Sequence, residues 1–271
     1  FAAAAYRRNG AGPLHTYSVD YAENDRHFHP DEFQPHADGP WVRRVSGLLG
    51  TRHREVVLET AALVEALAPA VAARDLPGMA DVDASLYLFC RDVKKEATVA
   101  LSGEAADEVF GGYPWFRRPE DLRASTFPWM RMLEQRVRLL APDLIPYLRP
   151  LEYAADRYRE ALDEVPRLPG EDAFEARLRE IAYLSLTRFL PVLLERKDRM
   201  SMAWGLEVRV PYCDHRLVEY VWNVPWSWKN AGGREKGLLR RALEGVLPPD
   251  VLARRKSPYP KTHHPAYTAA V

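Results

Sequence analysis

The sequence predicts an α/β fold, a parallel sheet with flanking helices, followed by a mostly helical C-terminal part. Three observations predict it. Short apolar runs alternate with helical spacings over the first half of the chain. The third run ends in the turn Leu101-Ser102-Gly103-Glu104-Ala105-Ala106-Asp107-Glu108-Val109-Phe110-Gly111-Gly112-Tyr113. From residue 127 onward the spacing is helical, with almost no strand signal. Strands separated by helices imply parallel pairing with helices on the faces. An apolar strand closing in a small, acidic turn describes the C-terminal edge of such a sheet, where open α/β folds place ligands.

Residues 15–21 read as a first strand and residues 41–49 as a helix stopped by Gly50. Residues 53–58 form a second strand around Val56, Val57 and Leu58, and residues 59–73 are helical by composition and period. Residues 83–94 are another helix, and 98–101 a third strand. Three strands are few for such a sheet, so further strands are expected upstream of Phe1. In the second half, residues 131–140, 153–162, 171–186 and 188–202 carry helical spacing, punctuated by Pro142, Pro146, Pro150, Pro166 and Pro169. Residues 254–265 form a basic, proline-rich loop. The domain reading is a single unit over 1–271, with an α/β nucleotide-binding part at 1–126 and a helical part at 127–271.

The 271 residues suit one large domain or two small ones. Lys+Arg and Asp+Glu both number 38, which argues against a nucleic-acid coat or a polybasic membrane anchor. Cys90 and Cys213 make no disulfide framework and fit a reducing cytosol. The most apolar stretch, 61–73, is interrupted by Glu65 and Pro69 and is too short to span a membrane. The opening residues lack the order of a signal peptide and read as the tail of a helix that began earlier. The chain is therefore expected to be a piece of something longer, and cytoplasmic.

Glu104, Asp107 and Glu108 can be read in two ways. They can simply charge the first turn of a helix, where its dipole favours acids. Alternatively, the N–H groups of Ser102 and Gly103 approach a phosphate, Asp107 holds Mg²⁺, and Glu104 faces a reacting carbon or an incoming amine. The cluster Arg196-Lys197-Asp198-Arg199 is either a solvated helix face or a set of cations that needs an anion in apolar surroundings. Lys236 and Lys256 are further basic candidates. Cys213-Asp214-His215 tempts a nucleophile reading, but adjacent positions rarely face one another usefully. His263-His264 has no spaced third metal ligand in sequence, so it reads as loop.

Five segments together resemble the asparagine synthetase family. The turn resembles its Leu-Ser-Gly-(Glu/Asp)-x-x-Asp-Glu-x-Phe-Gly-Gly-Tyr. Residues 190–203 resemble its Leu-Pro-x-Leu-Leu-x-x-x-Asp-Arg-x-Ser-Met-Ala helix, and residues 205–214 its Glu-x-Arg-x-Pro-Phe-x-Asp stretch. Residues 236–240 resemble Lys-x-x-Leu-Arg, and Arg255-Lys256-Ser257 resembles the Arg-x-Lys-x-x-Phe loop. Order and spacing agree over nearly the whole chain. The resemblance implies an adenine nucleotide α-hydrolase-like synthetase domain. There ATP adenylates the side-chain carboxylate of aspartate, pyrophosphate leaves, and ammonia displaces AMP to give asparagine. Carried over by position, Val19 lies against adenine, and Ser102 and Gly103 line the ATP site. Asp107 serves the Mg²⁺–pyrophosphate end. Glu104 positions or deprotonates ammonia, and Lys256 stabilises charge on the acyl-adenylate and pyrophosphate. Asp198, Arg199 and Lys236 are candidate anion or substrate contacts.

The implied partners are aspartate, ATP, ammonia and an N-terminal glutaminase half in the same parent protein; a homodimer is left open. Two family features are missing from these residues: the Ser-Gly-Gly-x-Asp-Ser pyrophosphate loop and the glutaminase half. Both are expected in the parent. Some members also carry, near residues 79–85, an arginine suited to the aspartate carboxylate, and this chain has none there. Alternatives are a β-lactam synthetase-like or peptide-cyclising ligase, or a non-catalytic scaffold relative. β-Lactam synthetases have a tyrosine where this chain has Glu104, which favours ammonia chemistry.

Overall fold

The computed structural model describes residues 1–31 and 34–271. The chain begins with α1 (Ala2–Arg8), β1 (His15–Tyr21), the one-turn α2 (Asn24–His27), α3 (Gly39–Leu49) and β2 (Arg52–Leu58). Next come α4 (Thr60–Glu65), α5 (Leu67–Arg74), α6 (Ala80–Lys94), β3 (Val99–Leu101) and α7 (Ala106–Phe110). Later elements include α8 (Pro150–Asp163), α9 (Ala173–Leu184), α10 (Leu190–Met202), β4 (Glu207–Arg209), α11 (His215–Trp222), α12 (Gly237–Ala242) and α13 (Pro265–Ala270). Among the described residues no helix is long and apolar enough to cross a membrane.

The α/β expectation holds: the strands pair in parallel and helices accompany them. The pairing itself differs from a single sheet. β1 lies parallel to β2 with His15 opposite Arg52 and Tyr21 opposite Leu58. β3 pairs in parallel with β4, Val99 opposite Glu207. Two helices differ locally from expectation. The helix expected over 59–73 is two helices that part at Ala66. Pro69 has no N–H to give, and its ring crowds the carbonyl four residues back, so the first helix stops at Glu65. The helix expected over 131–140 is shorter, Leu133–Val137. α3 ends as expected, because Gly50 takes φ 58° at its C-cap.

Two compact units are built from interleaved stretches. The first comprises Phe1–Ser102, Leu194–Arg209 and Glu244–Val271. Its core includes two patches of described residues. In one, Tyr21, Val56 and Leu58 pack with Leu63, Ala84, Leu88 and Tyr267. In the other, Leu86, Cys90 and Val93 of α6 pack with Met200 and Leu206. Burying a side chain of leucine size contributes about 1.5–3 kcal/mol, so these alternating positions of α6 hold the helix on the sheet. The second unit comprises Gly103–Leu193 and Val210–Leu243. Phe116, Leu178, Ile181 and Trp226 form one of its cores, and Phe127, Tyr158, Ala161 and Leu184 another. Asp172 caps α9 by accepting the N–H groups of Phe174 and Glu175 at 2.8 and 3.0 Å, worth about 1 kcal/mol.

Candidate active site

The acidic turn follows directly from β3. Ser102 continues the ladder: its N–H donates to the Arg209 carbonyl at 2.9 Å. This corrects the expectation that this N–H meets a phosphate, because the sheet already uses it. Gly103 is exposed, with open space where a Cβ would stand. Ala105 then takes φ 72°, a left-handed conformation that costs a non-glycine residue about 1–3 kcal/mol. The buried Ala106, Val109 and Phe110 of α7 hold the turn in that shape. Glu104 and Asp107 are half-buried, and Glu108 is buried at 2% exposure with the Tyr113 hydroxyl donating to it at 2.8 Å. The carboxylates thus do not simply point into bulk solvent.

The glycine pair has steric reasons. Gly111 takes φ 67°, and a Cβ there would stand 2.5 Å from the Trp226 ring. A Cβ on Gly112 would stand 1.8 Å from Oδ1 of Asp107 and 2.8 Å from its Cα. Gly112 therefore makes room for the Asp107 carboxylate. Gly112→Ala is expected to displace that carboxylate and to destabilise the second unit by about 1–3 kcal/mol, the usual range for overpacking. Thermal melting of the variant checks it; an unchanged midpoint would mean the turn relaxes freely.

Asp107 lies among cations of its own unit. Lys236 Nζ is 2.9 Å from its Oδ1, with both side chains 23% exposed. Lys236 takes φ 55° at the start of α12, and the next residue must be glycine: a Cβ on Gly237 would stand 2.4 Å from the Ala231 backbone. Arg117 clamps the turn through Gly111 and Tyr113 carbonyls at 2.7 and 3.0 Å. Burial pushes the Arg117 guanidinium down, and Glu235 and Asp107 partly restore it. Arg240 is likewise lowered first by burial and sustained by Glu235, which accepts its Nη2 at 2.6 Å, and by Asp107. Lys236, Arg117 and Arg240 thus stand with Asp107 and Glu235 in one part-buried environment, Arg234 adding positive charge at Arg240.

The remaining candidates belong to the first unit. Val19 is half-buried in β1, opposite Val56. Asp198 and Arg199 are exposed on α10, and Arg199 meets Asp75 at 2.6 Å. Lys256 is half-buried in the loop after Ala253, and that loop is fastened on both sides. Before it, Arg254 pairs with Asp38 and lies over the Trp41 ring at 5.4 Å. After it, the Tyr21 hydroxyl donates to the Pro260 carbonyl at 2.7 Å, and Ser85 Oγ is 3.3 Å from the Tyr259 hydroxyl.

Sequence reasoning missed Arg117, whose position four residues past the glycine-tyrosine end was a usable signal. It also missed a cluster at residues 79–85. No arginine lies in that segment, yet two reach it from elsewhere. Asp83, buried at 4% exposure, pairs with Arg74 at 2.9 Å and faces Arg196 at 3.9 Å. Arg196 Nη1 also lies 3.4 Å from the Met79 sulfur.

The surroundings of Cys213 disfavour the thiolate that a nucleophile needs. Burial raises its thiol, with Glu108 and Glu104 adding to the effect. Asp214 instead caps α11, accepting the Arg216 N–H at 3.0 Å and its guanidinium at 2.6 Å.

Parallel ladders with helices beside them define an α/β domain. The chain belongs to the asparagine synthase family, whose model matches residues 1–271. It is 53% identical over 270 residues to asparagine synthetase [glutamine-hydrolyzing] 3 of Bacillus subtilis, covering all of this chain and 44% of that protein. It is 31% identical over 204 residues to asparagine synthetase [glutamine-hydrolyzing] 1 of the same organism, covering 65% of this chain and 32% of that protein. The Gallus gallus asparagine synthetase [glutamine-hydrolyzing] is 25% identical over 225 residues, covering 80% of this chain and 31% of that protein. The chain thus spans less than half the length of these relatives.

Proposed function

We propose that this chain is the synthetase part of an ATP-dependent, amide-forming ligase that makes asparagine from aspartate. The observation that carries the reading is Asp107 held by Lys236 beside Arg117 and Arg240, at the end of the acidic turn. In this reading ATP binds with its adenine against the backbone around Val19 and its phosphates toward Ser102 and Gly103. The aspartate carboxylate attacks the α-phosphorus, pyrophosphate leaves, and charge accumulates on phosphoryl oxygens. Lys236, Arg117 and Arg240 counter that charge at the pyrophosphate end, and Lys256 counters it on the acyl-adenylate. Glu104 takes the proton that ammonia must shed as it attacks. Asp198 and Arg199 are assigned to the substrate side of α10.

Mg²⁺ fits this donor set. Asp107 Oδ1 is packed against Gly112 and paired with Lys236, and its second carboxylate oxygen is the hard donor offered to the ion. Magnesium is commonly held by one or two carboxylates together with substrate phosphates. When bound, it supplies further charge neutralisation at the pyrophosphate oxygens. Ammonia is assigned to glutamine hydrolysis in a further part of the parent protein. The support is the printed name of the relatives together with the share of their length that this chain spans. We further read residues 1–271 as a single synthetase domain and assign the enzyme to the cytoplasm, the support being two cysteines that make no disulfide framework.

The test is release of pyrophosphate and AMP by the full-length protein with aspartate, ATP, Mg²⁺ and ammonia. Absence of aspartate-dependent pyrophosphate would reject asparagine synthesis and direct attention to another acyl substrate. Lys256→Ala is expected to slow pyrophosphate release by about 10²–10³-fold, the usual effect of removing one preorganised charge-stabilising donor. Unchanged release would remove Lys256 from the reaction.

A further inference from the structure

His264 lies near the end of the chain and has no metal-ligand spacing in the sequence, but the fold supplies two companions. Glu23 is the N-cap and His27 the last residue of the one-turn helix α2 just beyond β1, in the same compact unit as His264. Glu23 Oε2 is 3.8 Å from His27 Nε2 and 3.4 Å from His264 Nε2. The two imidazole rings have centroids 4.6 Å apart, edge to face. One ligand atom from each residue lies within 4.8 Å of the others, and this is the one such group among the described residues.

We propose that Glu23, His27 and His264 form a binding site for a dication of the zinc class. Two imidazoles and a carboxylate are the donors that suit zinc and its neighbours, and they are a poor match for magnesium or calcium. Geometry supports the same class. Tetrahedral bonds of about 2.0–2.1 Å place neighbouring ligand atoms about 3.3–3.4 Å apart. The two Glu23 distances already stand at 3.4 and 3.8 Å, so small rotamer movements complete the set. The carboxylate is also oriented: Arg26 Nη1 holds Oε1 at 2.7 Å and leaves Oε2 facing both rings. Three protein ligands leave a coordination position open. The side chains are 46%, 30% and 22% exposed, so an ion can reach them.

Loading has a local consequence. His264 Nδ1 accepts the Ala266 N–H at 3.1 Å and thereby caps α13. Its neutral ring therefore carries its proton on Nε2, the nitrogen that faces Glu23. For a metal to bind Nε2, that proton moves to Nδ1, and Ala266 loses its acceptor. The ion ties the segment after β1 to the end of the loop that carries Lys256, and it loosens the cap of α13.

The experiment uses the full chain, freed of metal by dialysis against a chelator and titrated with Co²⁺ and then Zn²⁺. One equivalent of Co²⁺ is expected to give the visible bands of a low-coordinate N/O site, and Zn²⁺ is expected to displace it and raise the melting midpoint. His27→Ala and Glu23→Gln should each weaken Zn²⁺ binding by more than about tenfold, the lower end of what loss of a mere outer-shell partner costs. His263→Gln should leave it unchanged, since that ring contacts Gln34 at 3.3 Å and Phe28 instead. Amide exchange at Ala266 should speed up on loading. Absence of a saturable equivalent, or His264→Gln binding like the wild type, overturns the site. So does His263→Gln losing as much affinity as His27→Ala.

Discussion

Glu104→Gln is expected to cut ammonia-dependent amide formation by about 10²–10⁴-fold, the range that a positioned general base contributes. Aspartate-dependent exchange of pyrophosphate into ATP should survive. The separation follows from charge. Adenylation builds negative charge on phosphoryl oxygens, where a carboxylate at residue 104 does no useful work. Attack by ammonia builds positive charge on nitrogen, and the proton needs an acceptor. Glutamine keeps the shape of the side chain and removes the basic oxygen, so the half-buried turn should keep its fold. Measuring both half-reactions on one preparation distinguishes loss of the base from loss of the site. Equal loss in both would make Glu104 structural. Unchanged amide formation would remove it from proton transfer.

Much of this site was legible because its parts are local. Gly111 and Gly112 follow the acids within one turn, and their need for hydrogen in place of Cβ is met by Trp226 and Asp107. β1 was readable because Tyr17, Val19 and Tyr21 alternate with polar residues, and β2 because Val56, Val57 and Leu58 form a short apolar run after the turn at Gly50. β4 was not readable. Its three residues, Glu207, Val208 and Arg209, carry no period, and they become a strand only because Val99 to Leu101 lie beside them. The same limit hid the Asp107–Lys236 pair. Each residue stood out as a candidate alone, but nothing local says that α12 delivers the ammonium to within 2.9 Å of the turn. The Ser102 amide was misread for a related reason: its partner is the carbonyl of Arg209, on a strand that the pattern did not show.

The largest stability effect is expected at Asp83. Its carboxylate is buried between Arg74 at 2.9 Å and Arg196 at 3.9 Å, and Arg74 reaches Glu195 at 3.7 Å. Gly78 leaves the space this requires, since a Cβ there would stand 2.0 Å from Asp83 Oδ2 and 2.1 Å from Arg74 Nη1. Asp83→Asn retains the volume and removes the charge, leaving two mostly buried guanidiniums without their shared anion. Breaking one partner out of a buried ion pair costs about 3–5 kcal/mol. At roughly 2–4 °C per kcal/mol for a chain of this order of size, the melting midpoint should fall on the order of 10 °C. Replacing the whole cluster tests the cause. A triple Asp83→Leu, Arg74→Met, Arg196→Met variant removes the charges together with their desolvation penalty and should melt above Asp83→Asn, although it alters more atoms. If the single variant melts like the wild type, the cluster is electrostatically idle. If the triple variant melts lower than the single one, the two arginine side chains matter for their packing rather than for their charge.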